Sequence, residues 1–387
     1  MNGVFFSMIE IYKVIGIISI SIVNVPNLRF PGFSEDWGQK PLSSVVTLRK
    51  SRINSENVAD EDYISTENML PNFGGVSAGN SKPKTGNVIE YSMGDTLISN
   101  IRPYLKKVWF ADRDGGCSTD VIVLKAKQNL DKLFLYHSLA NERFINHTMA
   151  GAKGVKMPRG DREQMLEFPI GLPSINEQLV IAKFLSLIDK RIAIQNKVIE
   201  KYESLIKALR HHIFSALEPE KEVRIADILS YEQPTKYIVS DTEYSDNKDL
   251  TPVLTANKAF VLGYTEEIEG VYDKGPCIIL DDFTLDSKIV DFPFKVKSTA
   301  IKILSPKASV NLRFVFEYLK YLDLNTEEHK RHYIAEIEPM TIELPEEGTI
   351  QSITNLFDRI DSRRKGLERD LQLLESQKNY LLSALFI

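Results

Sequence analysis

The feature that most limits what this chain can fold into is that it is written twice. The segment from Ile170, IGLPSINEQLVIAKFLSLIDKRI, aligns without gaps on IELPEEGTIQSITNLFDRIDSRR from Ile342, a displacement of 172 positions. Identical pairs include Ile170/Ile342, Leu172/Leu344, Pro173/Pro345, Ile181/Ile353, Ile188/Ile360, Asp189/Asp361 and Arg191/Arg363, and later Glu203/Glu375, Leu209/Leu381 and Phe214/Phe386. Upstream, CSTDVIVL (117–124) resembles KSTAIKIL (297–304) at a displacement of 180, with Phe134, Tyr136 and Leu139 opposite Phe314, Phe316 and Leu319. A long period of this kind marks two copies of one structural unit. The order is a globular region, a long helix, a second globular region and a second long helix.

Both helical segments carry an unbroken 4,3,4,3 apolar spacing. In the first it runs through Ile181, Leu185, Ile188, Ile192, Gln195, Ile199, Tyr202, Ile206, Leu209 and Ile213; in the second through Ile353, Phe357, Ile360, Arg364, Leu367, Leu371, Leu374, Lys378, Leu381 and Leu385. These are heptad seams. Core helices of a large bundle would also show apolar stripes, but two seams of equal length separated by a whole globular region favour pairing with each other. The chain must return after the second region, so the expected pairing is antiparallel. At about 1.5 Å per residue each seam is roughly 50 Å long. The polar seam positions Gln195, Arg364 and Lys378 need partners and so fix register.

The expected fold class is therefore α/β (α+β), two globular domains in tandem repeat, separated by two long helices forming an antiparallel coiled coil. The expected bounds are an N-terminal extension at 1–25, a first domain at 26–172, a central helix at 173–222, a second domain at 223–345 and a distal helix at 346–387. Strands are expected at Thr96–Ser99, Val108–Phe110, Val121–Leu124, Cys277–Leu280, Ile289–Phe292 and Ala300–Leu304, with helices at Leu133–Thr148 and Leu312–Leu322. The apolar run Val14–Val25 falls short of the about 20 residues that cross a bilayer and lacks a signal peptide's flanks, so it is read as a possible start-codon artefact and no membrane attachment is expected.

Composition excludes several classes. With 43% hydrophobic and 26% charged residues the chain is an ordinary folded protein. Two cysteines, Cys117 and Cys277, build neither a disulfide framework nor a zinc site, which points to a reducing cytoplasm. The net charge of −5 is unevenly spread, +2 over 26–172 and −7 over 223–345, which disfavours binding to nucleic acid by bulk charge. No phosphate-binding loop, dinucleotide fingerprint, nucleophile elbow or zinc helix occurs, and no Asn-Pro-Pro-aromatic or Asp-Pro-Pro-aromatic tetrapeptide. Asp323 with Glu328-His329-Lys330 looks like a nuclease fragment, but chance in a charged helix end explains it better.

Local basic loops are the positive signal. Gly151-Ala-Lys-Gly-Val-Lys-Met-Pro-Arg-Gly-Asp-Arg162 places Lys153, Lys156, Arg159 and Arg162 among glycines, suited to close approach to a phosphate backbone. Arg49, Lys50, Arg52, Lys82, Lys84, Arg102, Lys106 and Lys107 add to the first domain. At the corresponding place in the second stands His329-Lys-Arg-His-Tyr333, with Lys330 and Arg331. Solvated surface accounts for any one of these; as a group at equivalent positions of a repeat, they favour DNA contact.

The chain resembles the specificity subunit of type I restriction-modification enzymes. The residues that carry the resemblance are Leu28-Arg-Phe-Pro-Gly-Phe-Ser-Glu-Asp-Trp37, Ile170-Gly-Leu-Pro-Ser-Ile-Asn-Glu-Gln178 and Phe184-Leu-Ser-Leu-Ile-Asp189, with Leu344-Pro345 and Leu356-Phe-Asp-Arg-Ile-Asp361 as the distal copy. Two departures stand: Glu177-Gln178 has no clear distal counterpart, and the extension lies outside the pattern. The resemblance implies that each globular region is a target-recognition domain reading half of a split double-stranded DNA site, with the coiled coil as the ruler between them. It implies a non-catalytic chain without cofactors, working with two methylation subunits that bind S-adenosylmethionine and methylate adenine N6, and with restriction subunits that use ATP and magnesium. The alternatives are a degenerate stand-alone DNA-modifying enzyme and a coiled-coil scaffold with no role on DNA.

Overall fold

The computed structural model describes residues 25–79, 81–154, 156–256, 260–307, 310–324 and 330–387. The extension up to residue 24, and Glu328 and His329 of the nuclease-like and basic fragments, lie outside them. Contacts divide the chain into two units, Met1–Asn196 with Arg369–Ile387, and Lys197–Glu368.

In the first unit, β1 (Gly38–Pro41), β2 (Val46–Leu48), β3 (Arg52–Asn54), β4 (Tyr63–Ile64), β5 (Asn87–Tyr91), β6 (Thr96–Ser99), β7 (Val108–Phe110), β8 (Gly115–Cys117) and β9 (Val121–Ala126) lead to α1 (Lys132–Leu139), α2 (Glu142–Ala150), α3 (Arg162–Glu167) and β10 (Pro169–Leu172). The strands form two four-stranded sheets, ordered β2-β9-β6-β7 and β3-β5-β8-β4, and the antiparallel pair β1-β10. The helix expected over Leu133–Thr148 is two helices. The backbone leaves the helical path at Ala140, and the Asn141 side chain accepts from the Arg143 N–H to start α2 while its amide donates to the Leu382 carbonyl at 3.0 Å. A residue that caps one helix cannot also continue the one before it.

The chain then enters α4 (Ile175–Ser215), which continues into the second unit. There β11 (Lys221–Arg224), β12 (Leu229–Glu232), β13 (Thr251–Leu254), β14 (Val261–Thr265), β15 (Cys277–Asp281), β16 (Ser287–Val290), β17 (Lys295–Val296) and β18 (Ile301–Pro306) precede α5 (Leu312–Tyr321), β19 (Thr341–Leu344) and α6 (Glu347–Leu385). The sheet β12-β18-β15-β16 repeats the order of β2-β9-β6-β7, and β11-β19 repeats β1-β10; the remaining sheet, β14-β13-β17, shares with β3-β5-β8-β4 a parallel pair, β13 with β17 as β4 with β8, and differs in its other strands. Even the caps repeat. Asp131 accepts from Phe134 N at the start of α1, and Asn311 accepts from Phe314 N at the start of α5. The strand expected at Ile289–Phe292 sits two residues earlier, because pairing runs Cys277↔Val290 to Leu280↔Ser287 and Pro293, which lacks an N–H, follows closely.

Each unit has its own core, and each draws on both long helices. In the first, Ile181 and Leu185 of α4 and Leu381, Leu382 and Leu385 of α6 close over Trp37, Leu42, Phe134 and Phe144. In the second, Phe214 of α4 and Ile350, Ile353 and Phe357 of α6 close over Phe314, Tyr318 and Ile342, with the Phe214 and Phe357 rings stacked at 6.4 Å. Where the two helices run without a sheet beside them, Ile192, Ile199, Ile206, Leu209 and Leu371 are half-buried, as expected of a two-stranded seam. Its polar positions find partners. Lys378 meets Asp189 at 2.7 Å within the first unit; Arg364 in the second is held by Asp361 at 2.7 Å and by Glu368.

Candidate nucleic-acid interface

The motifs at the start of α4 act as fasteners. The Glu177 carboxylate, 2% exposed, accepts two hydrogen bonds from the Arg29 guanidinium at 2.8 and 2.9 Å, which ties the opening segment to the helix. The Gln178 side chain accepts from Asp131 N at 2.9 Å and donates to the carbonyls of Pro173 and Asn129. Trp37 is 1% exposed and meets Phe134 edge-on at 6.1 Å. These residues hold the first globular region on its helix and leave its loops free to vary.

The basic residues singled out from sequence have unequal surroundings. Arg49 is committed to Asp95, with Nε at 2.8 Å, and that carboxylate also caps Ser92 N. Lys82 donates to the Val58 carbonyl at 2.7 Å and pairs with Asp60. In the glycine-rich loop Lys153 pairs with Asp161 at 2.8 Å and Arg159 with Asp120 at 3.0 Å. The side chains of Arg52, Lys84, Lys156 and Arg162 are exposed and make no ion pair among the described residues. In the second unit Lys330 pairs with Glu336 at 3.0 Å, and the Arg331 guanidinium lies 6.0 Å from the centre of the Phe283 ring. His332 and Tyr333 of the same basic run are buried, and their N–H groups both donate to Asp282 Oδ1, at 3.0 and 2.8 Å. Asp282 Oδ2 also meets the buried Lys302 ammonium at 3.2 Å, which donates to the Tyr231 hydroxyl.

A feature that sequence reasoning missed is the turn between β6 and β7. Among the described residues seven other than glycine have positive φ, and four of them meet here: Asn72, Phe73, Arg102 and Lys106. Asn72 N donates to the Leu105 carbonyl and Phe73 N to the Lys106 carbonyl, both at 2.9 Å. Each such residue costs on the order of 1 kcal/mol, a strain that persists only where the surroundings impose it. No composition or spacing signal marks an Arg or Lys that will take this conformation.

Buried titratable groups cluster where α1 meets the helix pair. His137 is fully buried, its Nε2 3.3 Å from the Ser186 hydroxyl and its Nδ1 3.8 Å from Asp189. Burial pulls its pKa down to about 4, against the opposing pull of Asp189. Cys117 and Cys277 are buried thiols pushed up to about 12 by desolvation. No group of three or more His, Cys, Asp or Glu side chains suited to a metal ion occurs among the described residues, and no helix among them is long and apolar enough to cross a membrane.

The architecture is that of a solved type I specificity subunit. The crystal structure of the S subunit of a type I restriction-modification system from M. genitalium superposes with a TM-score of 0.58 at 18% identity, covering 94% of this chain and 99% of that one. Residues 34–204 match the type I restriction modification DNA specificity domain. The chain is 38% identical over 169 residues to the specificity subunit of the Escherichia coli type I restriction enzyme EcoR124I/EcoR124II, taking in 40% of this chain and 42% of that protein. It is 25% identical over 171 residues to the E. coli EcoDI specificity subunit, taking in 42% of this chain and 37% of the relative. The matches thus span less than half the length of these curated relatives.

Proposed function

We propose that this chain is the DNA sequence-specificity subunit of a type I restriction-modification complex. The observation that carries the reading is a specificity-domain sequence set within a fold whose sheet order, strand pair and helix cap all recur in the second unit. Each unit reads one half of a split double-stranded target, and the paired helices set the gap. The chain itself is not an enzyme. Two methylation subunits bring S-adenosylmethionine and act on adenine N6; restriction subunits bring the ATP- and magnesium-dependent steps; the complex works on DNA in the cytoplasm.

Attachment of the methylation subunits has support on the helices. Val180, Leu187 and Ile194 recur every seven residues along α4 and remain exposed, Ile194 by 62%, and Leu373 and Tyr380 do the same on α6. A heptad-spaced apolar stripe outside the seam suits helices from another chain. The basic side chains that make no ion pair, Arg52, Lys84, Lys156 and Arg162, are suited to phosphate contact, with the partners supplying the rest of the positive field.

The reading is tested by co-expressing the chain with its methylation subunit and mapping N6-methyladenine across the host DNA. The expected result is one new motif of two short half-sites around a fixed gap. An assembled complex that adds no motif contradicts the reading, as does S-adenosylmethionine binding by the purified chain alone.

A further inference from the structure

The turn between β6 and β7 is where strain, exposure and uncommitted positive charge coincide in the first unit. We propose that it is the base-reading element of that unit, with Arg102 and Tyr104 as specificity-determining residues that contact base edges in the target duplex. The assignment rests on the reading of the chain as a specificity subunit and names where that reading acts.

Arg102 and Lys106, at φ 50° and 56°, flank a single tight turn over Pro103–Leu105. A bend shaped only to reverse the chain takes glycine or asparagine at such angles, whereas arginine and lysine keep the steric cost. The surroundings impose the shape from three sides. Arg102 N donates to the Pro158 carbonyl and Gly160 N to the Asn100 carbonyl, which seats the turn on the glycine-rich loop. The segment at Asn72 and Phe73 holds its other edge, and Lys106 pairs with Glu142 of α2. A residue kept strained by this many contacts is one whose side-chain direction is being fixed.

What the turn presents fits nucleic acid. Tyr104 is 46% exposed on this braced turn. Arg102 is exposed, and its guanidinium makes no hydrogen bond or ion pair among the described residues, unlike Arg49, Arg113 and Arg159 of the same unit, which are all paired. The Lys107 ammonium beside it is turned inward to the Thr66 carbonyl at 2.7 Å. An arginine carried outward on a braced backbone can donate to guanine O6 and N7 in the major groove, and a tyrosine hydroxyl can donate to or accept from a neighbouring edge. Direction is what base reading requires and what phosphate contact does not.

The experiment uses the full chain assembled with its methylation subunit and compares methylated motifs across variants. Arg102→Gln is expected to relax one position of one half-site, with preference for the original base falling roughly 10- to 100-fold and the other half-site unchanged. Tyr104→Ala is expected to relax an adjacent position. Arg102→Gly serves as the folding control, since glycine accepts the φ without strain; it should relax the same position in a protein at least as stable as the original. An unchanged motif at unchanged efficiency in both Arg102→Gly and Tyr104→Ala overturns the assignment while leaving the specificity reading intact. Uniform weakening across all sites with no change of motif also overturns it, because that marks phosphate contact. If the unaltered chain in the assembled complex yields no motif, the underlying reading falls and the assignment with it.

Discussion

The two units place opposite chemistry on the same hairpin. Between β6 and β7 the turn reads Asn100-Ile-Arg-Pro-Tyr-Leu-Lys-Lys107, with three positive charges; the corresponding β15–β16 hairpin carries Asp281 at the end of β15, and Asp282 and Asp286 in its turn. In the first unit the charged turn is strained and presents Arg102 and Tyr104 outward. In the second, Asp281 and Asp282 are buried, and Asp282 works as a clasp, accepting from His332 N and Tyr333 N and pairing with Lys302. The same strand order thus supports one hairpin built for presentation and another built for fastening. In the second unit the exposed cations Lys330 and Arg331 stand on a different loop. A repeat conserves the scaffold because cores and caps must be satisfied in both copies; it leaves the tips free to diverge.

The largest effect is expected from Lys302→Met. It strips the counter-ion from a buried carboxylate, which costs about 3–5 kcal/mol, and urea unfolding should show the loss. The position 180 earlier is the apolar Ile122, so no single change in the first unit can break the same clasp. A loss under about 1 kcal/mol would mean that Asp282 is not held by charge.

Next comes Arg29→Ala, which leaves Glu177 buried without its partner; the position 172 later is the uncharged Thr349. A loss of about 2–4 kcal/mol is expected by the same measurement, and Arg29→Lys should recover only part of it, because a lysine cannot make the two-pronged contact.

A smaller, pH-dependent effect distinguishes the helix junctions of the two units. His137 in α1 corresponds to Glu317 in α5, and the two solve burial differently. Glu317 is paired with Arg210 at 2.8 Å and Arg313 at 2.9 Å, whereas His137 remains neutral among Ser186, Asp189 and Lys378. With its folded pKa near 4 and an unfolded value near 6.5, the unfolded chain binds the extra proton first. Its contribution is therefore complete above about pH 6.5 and is lost as pH falls toward 4, at most about 1.4 kcal/mol per pH unit. Unfolding scans of His137→Gln should lack that component; an identical pH slope in both proteins would show that His137 titrates alike in the folded and unfolded chain.

The smallest effect has the opposite sign. Arg102→Gly should be neutral or stabilise by up to about 1 kcal/mol, since glycine removes the steric cost at positive φ and partly offsets this through its looser unfolded chain. Clear destabilisation would locate structural work in that side chain.

Much of this was legible in sequence, for physical reasons. The helices announced themselves because a seam must repeat every seven residues, and the repeat because two copies satisfy the same core. The division of α1 from α2 was also written, in Asn141-Glu142, a capping residue followed by an acid inside an apolar pattern. The strained turn was not legible, since Arg102 and Lys106 take their conformation from the loops around them. Nor was the inward turn of His332 and Tyr333, which depends on a carboxylate 50 residues away in sequence. Charge in a loop reveals its sign but not the direction in which it points.

The claim that each unit reads its own half of the target is tested most directly by exchange. Residues 34–172 would be replaced by the corresponding segment of the EcoR124I/EcoR124II relative, and the methylated motif mapped in the assembled complex. The account predicts that one half-site changes to a new sequence while the other half-site and the gap stay as they were. Both halves changing together, or neither, in a complex shown to assemble and methylate would contradict it.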